Sequence, residues 1–288
     1  MTRRSAGFYL MVVVPAFVVG CNTPTQRPEW RTTLQYEESE LYPTHIGRQG
    51  YPFLEIEIAN QSVEVFLDTG NMTGLFLSSG TIERLGLPRA GEVVTRDSDG
   101  NQIGTKPLYE AASVAAFGDR WSDRQILQRD VRGADGAIGP PYLLGKRYTI
   151  DYKGGWLAVT ENPLESLPPA ANVLELFPVP DLEGMLVVRG SVRGEGVYIQ
   201  VDTGKTRTCI DPEFARRLEL PEATDGFRID SIRLGSLEFS VSSAKAVGFG
   251  GISRGLDEPI RLGIGSDLLQ DVLLTVDYRQ GVAILQQK

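Results

Sequence analysis

The chain has 288 residues, of which 41% are hydrophobic and 23% charged, as in a globular protein of one large or two ordinary domains. The formal net charge is -8, and no basic run exceeds a pair such as Arg216-Arg217, so we predict no nucleic-acid partner. A single histidine, His45, excludes imidazole-rich zinc sites, and we predict neither a metal ion nor another cofactor.

The first 20 residues predict a secretory signal. Arg3 and Arg4 precede a nearly continuous apolar stretch over residues 7–19, which is shorter than the about 20 residues that span a membrane. The ending VVGC resembles a bacterial lipobox, in which the cysteine is diacylated. We therefore expect an exported protein, anchored to a membrane of the cell envelope through Cys21. The alternative is an ordinary signal peptide with a chance cysteine. Asn22 favours the periplasmic side of the outer membrane if the cell is Gram-negative.

Behind the signal, the sequence predicts a tether, two lobes and a linker. Residues 21–47 are polar and contain three prolines, which is typical of a tether. Residues 161–183 contain five prolines and are expected to link the lobes. Residues 48–160 and 184–288 show short alternating strands, Gly-rich turns and brief helices, so we predict a mostly β fold.

One sequence unit occurs twice. A pair of apolar strands leads into Asp-Thr-Gly at residues 68–70 and again at 202–204. The stretches 136–159 and 262–285 then match at a constant offset of 126. A lone Asp-Thr-Gly is a weak signal, but two of them with the same flanking segments indicate a duplicated folding unit.

The two units differ in the segment after the Asp-Thr-Gly region, which is longer in the first. There, Asp99-Gly100 lies between extended residues, which predicts a hairpin over residues 94–104 with a type I′ turn. We expect this hairpin to project from the first lobe. The alternative is a plain surface turn.

The order of an apolar strand, Asp-Thr-Gly, a hydrophobic-Gly element and a closing Ile/Val-Asp-Tyr strand resembles the retropepsin-like unit of bacterial aspartyl proteases. The resemblance covers about residues 50–160 and 185–287. Because both units lie in one chain, it implies a monomer with the bilobed arrangement of pepsin, its lobes related by a pseudo-twofold axis. The implied activity is that of an aspartic endopeptidase, with an extended peptide or unfolded protein as substrate. The hairpin over residues 94–104 would then be a flap that closes over this substrate.

The resemblance assigns Asp68 and Asp202 as a catalytic pair that shares a proton and activates a water molecule. The resemblance also implies supporting roles for the other motif residues. Thr69 and Thr203 would form hydroxyl hydrogen bonds across the axis. Gly70 and Gly204 would give the loops backbone freedom near the carboxylates. The Ile-Gly pairs at 138–139 and 264–265 are expected to pack beneath the two loops.

The residues after the two motifs depart from the family pattern, which has Ser, Thr or Ala there. Asn71 can still hydrogen-bond a carboxylate. Lys205 either places a cation beside the pair, which opposes proton sharing, or carries its charge out to solvent. The sequence leaves both open, so the alternative function is a catalytically silent, peptide-binding envelope lipoprotein. A purely structural envelope protein is a third possibility.

Overall fold

A computed structural model describes residues 27–168 and 171–288, and these form a mostly β protein with 49% strand and 10% helix. The predicted mostly β fold is therefore confirmed. The predicted signal peptide, residues 1–20, and the lipidation site Cys21 lie outside the described residues. Within the described part of the chain, no helix is long and apolar enough to cross a membrane.

We call residues 48–160 the first copy and residues 184–288 the second copy of the repeated unit. The strands up to the end of the first copy are β1 Leu41–Pro43, β2 His45–Ile46, β3 Pro52–Ile58, β4 Gln61–Leu67, β5 Leu75–Leu77, β6 Arg89–Arg96, β7 Gln102–Ala116, β8 Asp119–Gln128, β9 Gly136–Ile138, β10 Arg147–Asp151 and β11 Trp156–Thr160. The later strands are β12 Asn172–Glu175, β13 Val187–Val192, β14 Glu195–Val201, β15 Cys209–Ile210, β16 Glu222–Ala223, β17 Gly226–Leu234, β18 Leu237–Ala246, β19 Ile260–Ile264, β20 Val272–Asp277 and β21 Val282–Gln287.

The helices are short. They are α1 Trp30–Thr33, α2 Ser79–Leu85, α3 Pro212–Arg217 and α4 Ser266–Leu269, with 3₁₀ helices at Glu38–Glu40 and Pro140–Tyr142. Helix α3 begins at Pro212, because the Asp211 side chain caps it by accepting from the Phe214 N–H and proline fits its first position.

Each copy closes into a barrel, and the strand order of the two barrels is the same. In the first copy the order is β3-β4-β9-β5-β8-β7, and β7 pairs back onto β3. In the second copy it is β13-β14-β19-β15-β18-β17, and β17 pairs back onto β13. Strands β4 and β14 begin with exposed or half-buried residues and end fully buried, so each delivers its Asp-Thr-Gly to the interior.

A third sheet joins the two copies, in the order β1-β11-β10-β20-β21-β12. Strand β10 of the first copy pairs antiparallel with β20 of the second, and Thr149 lies opposite Thr275. These two residues are equivalent under the offset of 126, and their hydroxyl oxygens are 2.7 Å apart. An antiparallel pair of equivalent strands, centred on equivalent residues, has a local twofold axis at that point.

The segment before the first copy is part of the folded body, so a tether over residues 21–47 is wrong from Trp30 onward. Strand β1 pairs with β11, and Leu34 and Tyr36 are buried against the joining sheet. The buried Arg147 guanidinium donates hydrogen bonds to the carbonyl oxygens of Leu34 and Gln35. Composition does not predict that this segment is folded, because a few apolar side chains in a polar segment are enough to cover the sheet.

The proline-rich linker also contributes to the joining sheet. Strand β12, within the predicted linker of residues 161–183, pairs antiparallel with β21. The prolines flank this strand and do not interrupt it, which leaves its N–H groups free to bond.

We predict that Leu34→Ala lowers the free energy of unfolding by about 2–5 kcal/mol, because it leaves a cavity in a fully buried cluster. Thr33→Ala, at the exposed neighbouring position, is the control and is expected to change it by less than about 0.5 kcal/mol. Urea unfolding measures both variants. Equal stability of the two would mean that the segment is a tether after all.

Candidate active site

Both Asp-Thr-Gly loops rest on the hydrophobic-Gly strand of their own copy. The Asp68 N–H donates to the Ile138 carbonyl at 2.9 Å, and the Asp202 N–H donates to the Ile264 carbonyl at 3.0 Å. Strands β4 and β9 pair in parallel, as do β14 and β19. The Ile-Gly pairs therefore lie beneath the loops, and they fix where each aspartate leaves its sheet.

The threonines lock the two loops to each other. The Thr69 N–H donates to Thr203 Oγ1, and the Thr203 N–H donates to Thr69 Oγ1, both at 3.0 Å. Each hydroxyl then donates to the opposite strand: Thr69 to the Val201 carbonyl at 3.0 Å and Thr203 to the Leu67 carbonyl at 2.7 Å. Both hydroxyls are fully buried, and each both donates and accepts, so the four bonds form a closed and symmetric set.

The glycines of the motifs make room for the opposite carboxylate. A Cβ at Gly204 would overlap the Asp68 carboxylate, and a Cβ at Gly70 would overlap that of Asp202. Neither glycine is among the described residues with positive φ. The expected backbone freedom is therefore not the reason for glycine here. Each carboxylate lies against the backbone of the other loop, and the two meet at the interface between the copies.

Asp68 lies in surroundings that favour its neutral form. Its Oδ1 accepts from the Gly70 N–H at 2.9 Å, and the residue is 9% exposed. Burial, and next the Asp202 carboxylate, raise the pKa of Asp68 to about 7, against smaller opposing effects of the Gly70 N–H, Arg129 and Lys205. Asp68 therefore holds a proton up to near neutral pH.

Asp202 has a cationic partner. Lys205 Nζ lies 2.5 Å from Asp202 Oδ2 and 2.7 Å from Gln200 Oε1, and its side chain is 21% exposed. Asp202 Oδ1 accepts from the Gly204 N–H at 2.9 Å. Of the two alternatives that the sequence leaves open for Lys205, the structure has the first: the cation lies beside the pair. The ammonium group contacts Asp202 alone, whereas it is the pKa of Asp68 that burial and the Asp202 charge raise, so the surroundings of the two carboxylates are asymmetric.

The equivalent residue of the first copy has a different role. The Asn71 amide nitrogen donates to the Gly74 carbonyl at 3.2 Å, and its amide oxygen accepts from the Thr73 hydroxyl at 2.6 Å. Asn71 thus holds its own loop together instead of binding a carboxylate. The two loops are symmetric up to glycine and diverge at the next residue.

Strands β6 and β7 form the predicted hairpin, but its turn differs from the expected type. Gly100 has φ +85°, whereas Asp99 is not among the described residues with positive φ, so the turn is not type I′. The Asp97 carboxylate is the cause, because its Oδ1 accepts from the N–H groups of Asp99 and Asn101 and holds a right-handed turn.

The tip of the hairpin is docked on the second copy. The Ser98 carbonyl accepts from the Gly251 N–H at 2.7 Å, and the Ser98 hydroxyl donates to the Gly248 carbonyl at 2.8 Å. Asp99 Oδ1 accepts from the Gly250 N–H at 3.2 Å. The hairpin therefore bridges from the first copy to the loop between β18 and β19 and is not a free surface turn. Gly251 is required there, since a Cβ would overlap Gly100.

Three residues near the pair are not identified by sequence reasoning. The Tyr51 ring stacks on Phe66 with centroids 4.3 Å apart, and burial and then the Asp68 carboxylate raise the pKa of Tyr51. The Arg129 side chain lies over the Phe76 ring. Gln200 Oε1 accepts a hydrogen bond from Lys205 Nζ. Gln200 is the one amide in the apolar run VYIQV, and this feature of the sequence could have identified it.

We predict that Asp68→Asn stabilises the protein at pH 8 by a few kcal/mol, at roughly 1.36 kcal/mol per unit of pKa shift, and has no such effect at pH 4. The folded-state pKa of about 7 lies above the ordinary 3.8, so the stability that the wild-type group contributes is complete below 3.8 and is lost as the pH rises through 7. Asparagine cannot ionise, so the variant does not lose stability at this position as the pH rises. Urea unfolding between pH 4 and 8 measures the difference.

Asp202→Asn is the matched comparison. It removes the charge that repels Asp68 but also leaves Lys205 without its carboxylate partner, so we expect it to stabilise the protein at pH 8 less than Asp68→Asn does. Equal stabilisation by the two variants would contradict the asymmetry.

The candidate site thus consists of two facing carboxylates on braced loops, one cation and a bridging hairpin. Among residues 27–168 and 171–288, no group of three or more His, Cys, Asp or Glu side chains is placed to hold a metal ion. No protein-family model matches this chain, and no curated protein matches it.

Proposed function

We propose that the chain is an aspartic endopeptidase with the bilobed acid-protease fold, in which each copy of the repeat forms one lobe. The observation that carries the proposal is that the carboxylates of Asp68 and Asp202 each contact the glycine of the other loop. This arrangement aims both carboxylates at one shared space. The crossed threonine bonds support it, since they fix both loops before substrate arrives.

In this mechanism, the two aspartates take different roles. Asp202, ionised beside Lys205, accepts a proton from water as the water oxygen attacks the carbonyl carbon of the substrate. Asp68, protonated, donates a hydrogen bond to the carbonyl oxygen and then its proton, which gives a neutral tetrahedral intermediate. The C–N bond breaks as the proton on Asp202 moves to the leaving nitrogen. Asp68 recovers its proton when the new carboxyl group forms, which restores the starting state.

The substrate in this proposal is an extended peptide or unfolded protein. Its backbone would lie beneath the β6–β7 hairpin, whose tip must leave the loop at residues 248–251 to admit it. One chain suffices, because both carboxylates belong to it, so the proposed enzyme is a monomer. Cys21 and the preceding signal are proposed to anchor it to the cell envelope.

A catalytically silent, peptide-binding lipoprotein remains the second candidate, and one observation favours it. Lys205 Nζ lies 2.5 Å from Asp202 Oδ2, so a cation already occupies one of the oxygen atoms that would have to bind the catalytic water. In this case the same groove and hairpin would bind an extended peptide without hydrolysing it.

Mutation of either aspartate tests the proposed activity. Wild-type protein should cleave casein between acid and neutral pH, and Asp68→Asn and Asp202→Asn should each lower kcat/KM at least about 100-fold, since each removes an acid or a base. Asp123→Asn, an exposed carboxylate with φ +50°, is the control and should leave the activity unchanged. Activity retained in either active-site variant rules out the catalytic pair.

The pH profile tests the division of roles. Because the mechanism needs protonated Asp68, whose pKa is about 7, we expect kcat/KM to fall as the pH rises through about 7. Lys205→Met should move this fall to higher pH, because Lys205 lowers the pKa of Asp68. An unchanged or lower limit in that variant contradicts the role of Asp68. Cleavage by Lys205→Met but not by wild type identifies Lys205 as a silencing residue.

A further inference from the structure

A cavity of about 640 Å³ opens directly beside the aspartate pair, on the side of the second copy. Its wall includes Gly204 and Lys205, so it adjoins Asp202. Arg207 and Lys245 also line it, which places three basic side chains around one space.

The strand pairings show which residues of the first copy correspond to this wall. Ala137 of β9 pairs with Phe76, and at the offset of 126, Gly263 of β19 pairs with Cys209. Cys209 therefore stands where the first copy has Phe76. A cysteine side chain is far smaller than a phenylalanine, so the substitution opens space on one side of the local axis and not on the other.

The same comparison explains the charge of the cavity. Phe76 pairs with Leu127 on the neighbouring strand β8, and Cys209 pairs with Lys245 on β18. Lys245 is thus the equivalent of Leu127, which is 5% exposed and packs with Phe76 in an apolar cluster. Where the first copy fills its wall with an aromatic and an aliphatic side chain, the second copy has a thiol and an exposed ammonium group.

The basic side chains of the cavity differ in how far their charges are compensated. Lys205 is paired with Asp202 at 2.5 Å, and Arg207 reaches Asp225 only at 3.4 Å. Among the residues that the structure describes, no carboxylate oxygen lies within 4.0 Å of Lys245 Nζ. The cavity therefore keeps an excess of positive charge in a chain whose net charge is -8.

The short second-copy hairpin leaves this cavity open. Strands β16 and β17 are joined around Asp225, at the rim, and β16 has two residues, whereas the equivalent β6 has eight. A long hairpin in the second copy would cover the basic wall. The pseudo-symmetry of the fold is thus broken at three places that together create one accessible, cationic space.

We propose that this cavity is a specificity subsite for an acidic side chain of the peptide substrate, with Lys245 and Arg207 as the residues that select it. This inference rests on the proposed peptidase function and names its substrate class. An aspartate or glutamate near the scissile bond would extend into the cavity and form ion pairs there. Its carboxylate would be drawn to Lys245, which has no carboxylate partner in the described part of the chain.

Cleavage-site profiling tests the subsite with the full chain in detergent. A peptide library digested by wild type should show enrichment of Asp and Glu at one position near the cleaved bond. For a peptide with Glu at that position, kcat/KM should exceed that of the matched Gln peptide about two- to fivefold, as expected for a partly exposed ion pair, and the ratio should fall with salt. Lys245→Met should reduce this ratio, and Lys245→Glu should reduce it further, since Arg207 remains in the cavity wall.

Lys153→Glu is the control, since Lys153 follows β10 in the joining sheet and does not line the cavity. It should keep the wild-type preference. If no peptide is cleaved, the proposed peptidase function is wrong, but the subsite proposal can still be tested. Fluorescence polarisation of the labelled Glu and Gln peptides then measures their binding. Tighter binding of the Glu peptide, weakened in Lys245→Met, supports it. Equal kcat/KM, or equal Kd in the absence of cleavage, overturns it.

Discussion

The arrangement of this protein depends on two carboxylates that are forced into one buried space by a duplicated fold. Strands β4 and β14 end at the local twofold axis, and the crossed threonine bonds allow the loops no other spacing. Glycine follows each Asp-Thr because the opposite carboxylate occupies the place of a side chain. Two like charges in such a position cannot both remain ionised at low cost, and the pKa of Asp68 is accordingly raised to about 7.

Lys205 makes the surroundings of the two aspartates unequal. Its ammonium group contacts Asp202, and the equivalent residue of the first copy, Asn71, makes no such contact with Asp68. Lys205 also borders the cationic cavity, so the asymmetry of the loops and the asymmetry of the walls lie on the same side. In the proposed enzyme, that side would determine both the charge around the aspartate pair and the choice of substrate.

Much of this follows from sequence, because the decisive signals are local and repeated. The two Asp-Thr-Gly motifs, the constant offset of 126 and the cap of α3 each depend on a few neighbouring residues. The predictions that are wrong concern contacts between parts of the chain that no local pattern connects. Leu34 and Tyr36 bury a segment that composition assigns to a tether, and Asp97 overrides the turn that Asp-Gly favours. The direction of the Lys205 side chain depends on Gln200, which no local pattern connects with it.

The most direct measurement of the central claim is a carboxyl-carbon NMR titration of Asp68 in the wild type and in Asp202→Asn. The wild-type Asp68 signal should titrate near pH 7, because burial and the Asp202 charge act on it. In Asp202→Asn it should move to lower pH, since the repelling charge is gone and Lys205 remains. Titration of Asp68 near its ordinary value of 3.8 in both proteins would contradict the account, because it would mean that the two carboxylates do not share one site.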